Sequence, residues 1–183
     1  MKMNNERLVK ISKYLSKHLR HRPERLGLEI DRGGWVSVDA LLASCAARNF
    51  PVTRAELDEV VARNNKRRYS FDESGGRIRA NQGHSIDVDL ELKAAAPPSV
   101  LYHGTNERVV SLILEGGLQK FGRHHVHLSL DSATAKQVGA RHGRPVVLAI
   151  RAGEMHGMGH EFFVSGNGVW LTECVPPQFI DLP

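Results

Sequence analysis

Cysteine is scarce in this chain: Cys45 and Cys174 are the only two. So few, set so far apart, make neither a disulfide framework nor a four-cysteine zinc site. No apolar run approaches the ~20 residues that span a bilayer, so no membrane helix is expected. The first residues, MKMNNERLVK, carry charge without an apolar core, unlike a secretory signal. A cytoplasmic setting is therefore expected, and a monomer is the default. Several catalytic signatures are missing as well. The sequence has no G-x-x-x-x-G-K-[ST] phosphate loop, no G-x-G-x-x-G after a strand, no H-E-x-x-H and no G-x-S-x-G. Its acids are scattered, with no close pair suited to two-carboxylate hydrolysis.

What is present is an ordinary globular composition with an uneven charge. The 183 residues are 41% hydrophobic and 25% charged, enough for one large domain or two small lobes. Residues 1–70 hold 15 Lys and Arg against 8 Asp and Glu, whereas residues 101–183 hold seven of each. The first 22 residues carry seven basic groups and one acid. A basic lobe beside a neutral one suggests a polyanion held by the first and different work done by the second. Seven of the ten histidines lie in residues 101–183.

A seam of small residues and a Pro-Pro pair, residues 92–99, separates two patterned regions. The expected division is a first lobe over 1–92, a linker over 93–99 and a second lobe over 100–183. Before the seam, Leu8, Ile11, Leu15 and Leu19 recur at helical spacing over 6–21, with Lys10, Lys13 and Lys17 on the opposite face. Residues 35–38 read as extended, 39–47 as a helix, and Thr53-x-x-Glu56 as a capping box opening a helix over 54–64. Residues 68–71 and 77–80 flank Glu-Ser-Gly-Gly as a hairpin. Three helices and a hairpin in that order predict a winged-helix lobe. After the seam, strands are expected over 100–103, 126–130 and 145–150, and helices over 108–115 and 132–142. A hairpin pairs 162–164 with 169–172 around Ser-Gly-Asn-Gly, and a last extended piece spans 179–182. The fold class is thus α+β, the second lobe mixed and strand-rich.

Arginine and histidine form three clusters. Arg20-His21-Arg22 closes the basic helix, where the helix dipole favours cations. An arginine fork matches phosphate bidentately, and a neighbouring histidine moves protons near neutrality. Lys66-Arg67-Arg68, Arg77 and Arg79 surround the hairpin; alternation puts Tyr69 and Phe71 inward and Arg68 outward. Arg123-His-His-Val-His-Leu-Ser129 alternates too. Val126, Leu128 and Leu130 read as core, and His125, His127 and Ser129 as a polar row suited to hydrogen-bonding a ligand. No convincing third ligand joins the two histidines, so no metal is expected. Tyr102-His-Gly-Thr105 marks a strand exit, its glycine allowing close approach to the backbone.

Taken together, Ser16-Lys-His-Leu-Arg-His21, Asn65-Lys-Arg-Arg68, Tyr102-His-Gly-Thr105, Arg123-His-His-Val-His-Leu-Ser129, Arg141-His-Gly-Arg-Pro145 and Asn167-Gly-Val-Trp-Leu171 resemble the RNA 2′-phosphotransferases. The resemblance runs from about Leu8 to Ile180. It implies a winged-helix lobe followed by an ADP-ribosyltransferase-type lobe that binds NAD. It further implies NAD-dependent removal of an internal 2′-phosphate from RNA in two steps. The 2′-phosphate is first ADP-ribosylated with loss of nicotinamide. Transesterification then gives 2′-OH RNA and ADP-ribose 1″,2″-cyclic phosphate. A spliced tRNA is one candidate substrate.

By the same resemblance, the catalytic set falls on Arg20, His21, Arg68 and Arg123. His103, Gly104 and Thr105 match the NAD-contacting strand, with His127, Ser129 and Asn167 the next choices for the dinucleotide. His18, His84, His142, His156 and His160 read as structural or surface residues. Two alternatives accompany this reading: an ADP-ribosyltransferase that caps nucleic-acid phosphate ends, and a non-catalytic winged-helix protein that binds nucleic acid.

Overall fold

The computed structural model describes residues 3–63 and 67–182 and divides into two units, 1–91 and 92–183. The helix end expected at residue 64, and Asn65 and Lys66 of the second cluster, lie outside the described residues.

In the first unit the apolar stripe becomes α1 (Asn5–Arg20), with Ile11, Leu15 and Leu19 fully buried and Lys10, Lys13 and Lys17 exposed. The Asn4 side chain opens it by accepting from the Arg7 N–H at 2.7 Å. A 3₁₀ turn at Pro23–Leu26 ends at Gly27, whose φ of 65° is open to glycine at no steric cost. There follow β1 (Val36–Ser37), α2 (Val38–Ala47) and α3 (Arg54–Ala62). Both arms of the Thr53/Glu56 capping box are formed. The Arg7 guanidinium, 2.9 Å from Glu56, helps hold that carboxylate below its usual range. β2 (Tyr69–Phe71) and β3 (Arg77–Ala80) make the hairpin, and β1 adds to β3, all antiparallel. Tyr69 is buried and Phe71 half-buried, as alternation predicts.

The second unit is built from antiparallel strands with short helices between them. Its elements are β4 (Leu101–Asn106), α4 (Val110–Gly116), β5 (Leu118–Gln119), β6 (Val126–Leu128), α5 (Ser132–Gly139), β7 (Pro145–Ile150) and α6 (Ala152–Gly157). The chain closes with β8 (Phe162–Val164), β9 (Trp170–Thr172), β10 (Cys174–Val175) and β11 (Ile180–Asp181). One sheet runs β11-β7-β4 and another β6-β9-β8, while β10 pairs with β5. β4 and β7 pair along their full length, from Leu101 opposite Ile150 to Asn106 opposite Pro145. Beyond β6, Tyr102 and Ser129 exchange both backbone hydrogen bonds, at 2.9 and 2.7 Å, joining the first sheet to the second. Leu101, Leu128, Leu148, Ile150 and Phe162 fill the core.

One expectation changes and two segments gain contacts. Residues 93–99, the expected linker, bond to this unit. The Ala95 N–H donates to the Phe162 carbonyl at 2.8 Å, and the Ser99 carbonyl accepts from Gly153 at 3.0 Å. Leu130 is not core: β6 stops at Leu128, Ser129 is taken by Tyr102, and Leu130 is left 61% exposed. The glycine of the Tyr102–Thr105 exit also meets a helix. A Cβ on Gly104 would lie 1.7 Å from the Ala135 carbonyl oxygen, so on that face α5 makes the close approach.

Candidate functional site

The first group of candidate residues lies at the C-terminal end of α1. Arg20 is its last residue and His21 its cap, the His21 N–H donating to the Lys17 carbonyl. Arg20 is half-buried, with Nε and Nη2 shielded from solvent, while the His21 ring is exposed. Arg68 directly precedes β2. The buried Tyr69 hydroxyl donates to the Ser12 carbonyl of α1 at 2.5 Å and so ties that strand to the helix. Burial raises the Tyr69 pKa, and the positive charges of Arg20 and Arg68 oppose the rise. A short segment after β3 meets all three residues: the Asn81 N–H donates to the Arg68 carbonyl at 2.8 Å, the Ser85 N–H donates to the Arg20 carbonyl at 2.9 Å, and Ser85 Oγ lies 2.9 Å from His21 Nδ1.

Other cations of the hairpin are committed elsewhere. Arg77 pairs with Asp72 at 3.0 Å, and Arg79 lies over the Trp35 ring at 4.4 Å while donating to the Gly33 carbonyl at 3.1 Å. Two residues beyond the reach of sequence reasoning support the cluster. The Asn81 side chain donates to the Arg67 carbonyl at 2.6 Å, and Ser85 Oγ lies 2.9 Å from His21 Nδ1. Their contacts bridge 14 and 64 residues of chain, so only an Asn and a Ser after β3 are visible in the sequence.

The second group lies in the other unit, on β4 and the segment around β6. The half-buried His103 places Nδ1 3.1 Å from the His127 carbonyl. A carbonyl only accepts, so Nδ1 carries the hydrogen. Burial lowers the His103 pKa more than the His127 carbonyl raises it, and Arg123 lowers it further. The ring is thus neutral, with Nε2 an acceptor suited to a sugar hydroxyl. Thr105 follows on the same strand and is buried, while Gly104 packs against α5. His127 and Ser129 are half-buried in the alternating segment. His125 is half-buried too, its ring tilted against Phe163 at 5.6 Å, and Phe163 shares the face of His127 through Leu171, which stands opposite both. Asn167 lies in the turn between β8 and β9, where its Oδ1 accepts from Ser165 Oγ at 2.7 Å. The exposed Arg123 lies at the end of a tight turn closed by its N–H to the Lys120 carbonyl at 3.1 Å.

A model of the RNA 2′-phosphotransferase, Tpt1 / KptA family matches residues 6–174. The chain belongs to that family. Similar full-length relatives carry the name "Probable RNA 2'-phosphotransferase". One from Streptomyces coelicolor is 59% identical over 181 residues, covering 99% of this chain and 98% of its own. Another from Nostoc punctiforme is 57% identical over 178 residues, covering 97% and 98%. A third, from Rhodopirellula baltica, is 47% identical over 180 residues, covering 98% of each.

This member of the family is a transferase, and the matched segment spans every candidate residue above. Among the described residues no three His, Cys, Asp or Glu gather as a metal site, and no helix is long and apolar enough to cross a membrane. Four other histidines have aromatic or buried surroundings. His18 packs against Tyr14 at 4.5 Å, His156 against Phe162 and His160 against Phe179, and His84 is buried.

The neutral His103 gives a measurable expectation. Its pKa in the fold lies below the ~6.5 of an unfolded histidine. As pH falls below ~6.5, the unfolded chain takes up a proton that the folded ring resists, so the second unit loses stability through the folded pKa. Its NMR titration midpoint is expected below 6.5, moving up in Arg123→Gln as a lowering charge is removed. A wild-type midpoint at or above 6.5 would contradict the assigned ring state.

Proposed function

We propose that this protein removes an internal 2′-phosphate from RNA in two steps, using NAD as co-substrate. The reading is carried by the segment Asn81–Ser85, which bonds to Arg68, Arg20 and His21, in a chain of this family. The order α1, β1, α2, α3, β2, β3, with its three-stranded antiparallel sheet, supports reading residues 1–92 as a winged-helix lobe for RNA. The antiparallel sheets of the other unit support reading residues 100–183 as an ADP-ribosyltransferase-type lobe. The residues there fit a dinucleotide: His103 offers a neutral acceptor to a ribose hydroxyl, and Thr105, His127 and Ser129 add hydrogen-bonding groups nearby in sequence. Gly104 and Asn167 complete the set proposed to contact or shape that site.

NAD supplies an electrophilic ribose carbon, C1″, when bound. The RNA 2′-phosphate, carrying about −1.5 to −2 charge at neutral pH, attacks it and nicotinamide leaves. The ribose O2″ then attacks the phosphorus, and the RNA departs through its 2′ oxygen. Arg20 and Arg68 hold the phosphate and stabilise charge on its equatorial oxygens during the second step, and the resemblance adds Arg123 to the catalytic set. His21 exchanges a proton with O2″ or with the departing 2′ oxygen. A guanidinium fork suits this task because it can meet two phosphate oxygens at once. Two free thiols, Cys45 and Cys174, suit a reducing compartment, and the cytoplasm is the proposed setting for a monomer.

The deciding experiment incubates the protein with NAD and a short RNA bearing one internal 2′-phosphate, then identifies all products by mass spectrometry. Nicotinamide, 2′-OH RNA and ADP-ribose 1″,2″-cyclic phosphate are expected. RNA that merely gains ADP-ribose would make the protein a capping transferase, and untouched NAD would leave a nucleic-acid-binding module.

A further inference from the structure

One short stretch after β3 holds both halves of the first-unit cluster. The Asn81 N–H donates to the Arg68 carbonyl at 2.8 Å, and its side chain donates to the Arg67 carbonyl at 2.6 Å. Arg67 has φ of 39°, a left-handed conformation that costs energy in a residue with a side chain and persists when neighbours enforce it. Asn81 is buried and makes both bonds, so the backbone leading into Arg68 is clamped. The chain then turns through Gly83, with φ of 83°, and returns to α1. There the Ser85 N–H donates to the Arg20 carbonyl at 2.9 Å, and Ser85 Oγ meets His21 Nδ1 at 2.9 Å. Two residues four apart, Asn81 and Ser85, thus grip the carbonyls of Arg67, Arg68 and Arg20 and the ring of His21.

The contact at His21 has a chemical consequence. An exposed imidazole on a helix cap has two free torsions, and either nitrogen can carry its proton. A hydroxyl at Nδ1 restricts the torsions, because the ring must point at Oγ, and it engages Nδ1 whichever partner donates. Ser85 is itself fixed through its backbone bond to Arg20, so the ring is referenced to the arginine beside it. We propose that Ser85 is a positioning residue for His21, orienting the ring so that proton exchange with the substrate passes through Nε2. The proposal rests on the function read above and deepens it by naming the atom that moves the proton and the residue that sets it.

Ser85 is exposed, so its replacement leaves the core intact. The test compares Ser85→Ala and Ser85→Thr in the full chain, on wild-type and His21→Ala backgrounds, with the RNA and NAD assay above. Ser85→Ala is expected to lower kcat by about tenfold, the loss of roughly one oriented hydrogen bond. KM for NAD should change by less than about twofold, and Ser85→Thr, which keeps the hydroxyl, should recover most of the rate. On the His21→Ala background, Ser85→Ala should change nothing further. An independent readout is the ¹⁵N spectrum of the His21 ring, whose Nδ1 and Nε2 resonances should shift in Ser85→Ala and stay close to wild type in Ser85→Thr. Equal losses on both backgrounds, or a His21 ring spectrum indifferent to Ser85→Ala, would overturn the proposal. An inactive wild-type protein would instead overturn the functional reading, leaving the ring spectrum to decide the role of Ser85.

Discussion

Arg68→Ala is expected to slow 2′-phosphate removal by about 10²–10³-fold while the protein stays folded, the range seen when one preorganised donor to a developing oxyanion is lost. The fold should survive because alanine retains the backbone carbonyl that Asn81 grips. Tyr69, the core residue next to it, is untouched. NAD affinity should move by less than about twofold, since the proposed dinucleotide residues belong to the other unit. If the second step suffers most, RNA carrying ADP-ribose should accumulate and be visible by mass spectrometry. Arg68→Lys should recover only part of the loss, because a point charge replaces a fork that can hold two phosphate oxygens in a fixed plane. Near-wild-type turnover in Arg68→Ala would remove this arginine from the catalytic set.

The second large effect is structural. Gly104→Ala is expected to cost on the order of 3 kcal/mol or more, at or beyond the upper end of ordinary overpacking. The added Cβ would lie 1.7 Å from the Ala135 carbonyl oxygen, 2.5 Å from its carbon and 3.0 Å from the Gly139 nitrogen. These are backbone atoms of α5, so no side chain can turn aside to relieve the overlap. The relation is mutual: a Cβ on Gly139 would come within 2.4 Å of the Thr105 carbonyl oxygen. Strand and helix meet backbone to backbone, and β4 is fixed on its other flank by its full-length pairing with β7. A loss of this size is a large share of the ~5–15 kcal/mol that keeps a domain folded. Chemical denaturation should show a much lower midpoint for the second unit. Gly116→Ala, at the end of α4 with nothing within 4 Å of the new carbon, is the matched control and should leave the midpoint nearly unchanged. Equal midpoints for the two variants would refute the close-packing argument.

Features that depend on near neighbours were legible in the sequence. The burial of Ile11, Leu15 and Leu19 follows from their spacing, and the Thr53/Glu56 box states its own geometry in four residues. The hairpins read equally well, because turn chemistry between alternating segments is local. Short elements did not. α6 (Ala152–Gly157) buries only Ala152 and Met155, too little to write a stripe. The two-residue strands β5 and β10 have no period at all. Leu130 was read as core because alternation carries no information about where a strand stops. At the candidate site, the arginines and His21 announce themselves by chemistry, whereas Asn81 and Ser85 are silent. Their importance lies in which carbonyl and which ring the fold brings to them. The glycine at 104 is visible in the sequence, but its contact with α5 is not, because a missing side chain does not name its neighbour.

The reciprocal bonds between Tyr102 and Ser129 bear on how a ligand would be received. They stitch the strand that carries His103 and Thr105 to the segment that carries His127 and Ser129, and the His103 ring adds a third tie at the His127 carbonyl. These hydrogen-bonding groups therefore ride on one continuous antiparallel fabric rather than on loops that must be gathered. Freezing loops and side chains consumes part of the free energy of most associations. Here much of that entropy is surrendered when the domain folds, so a dinucleotide at the proposed site would meet these groups already in register.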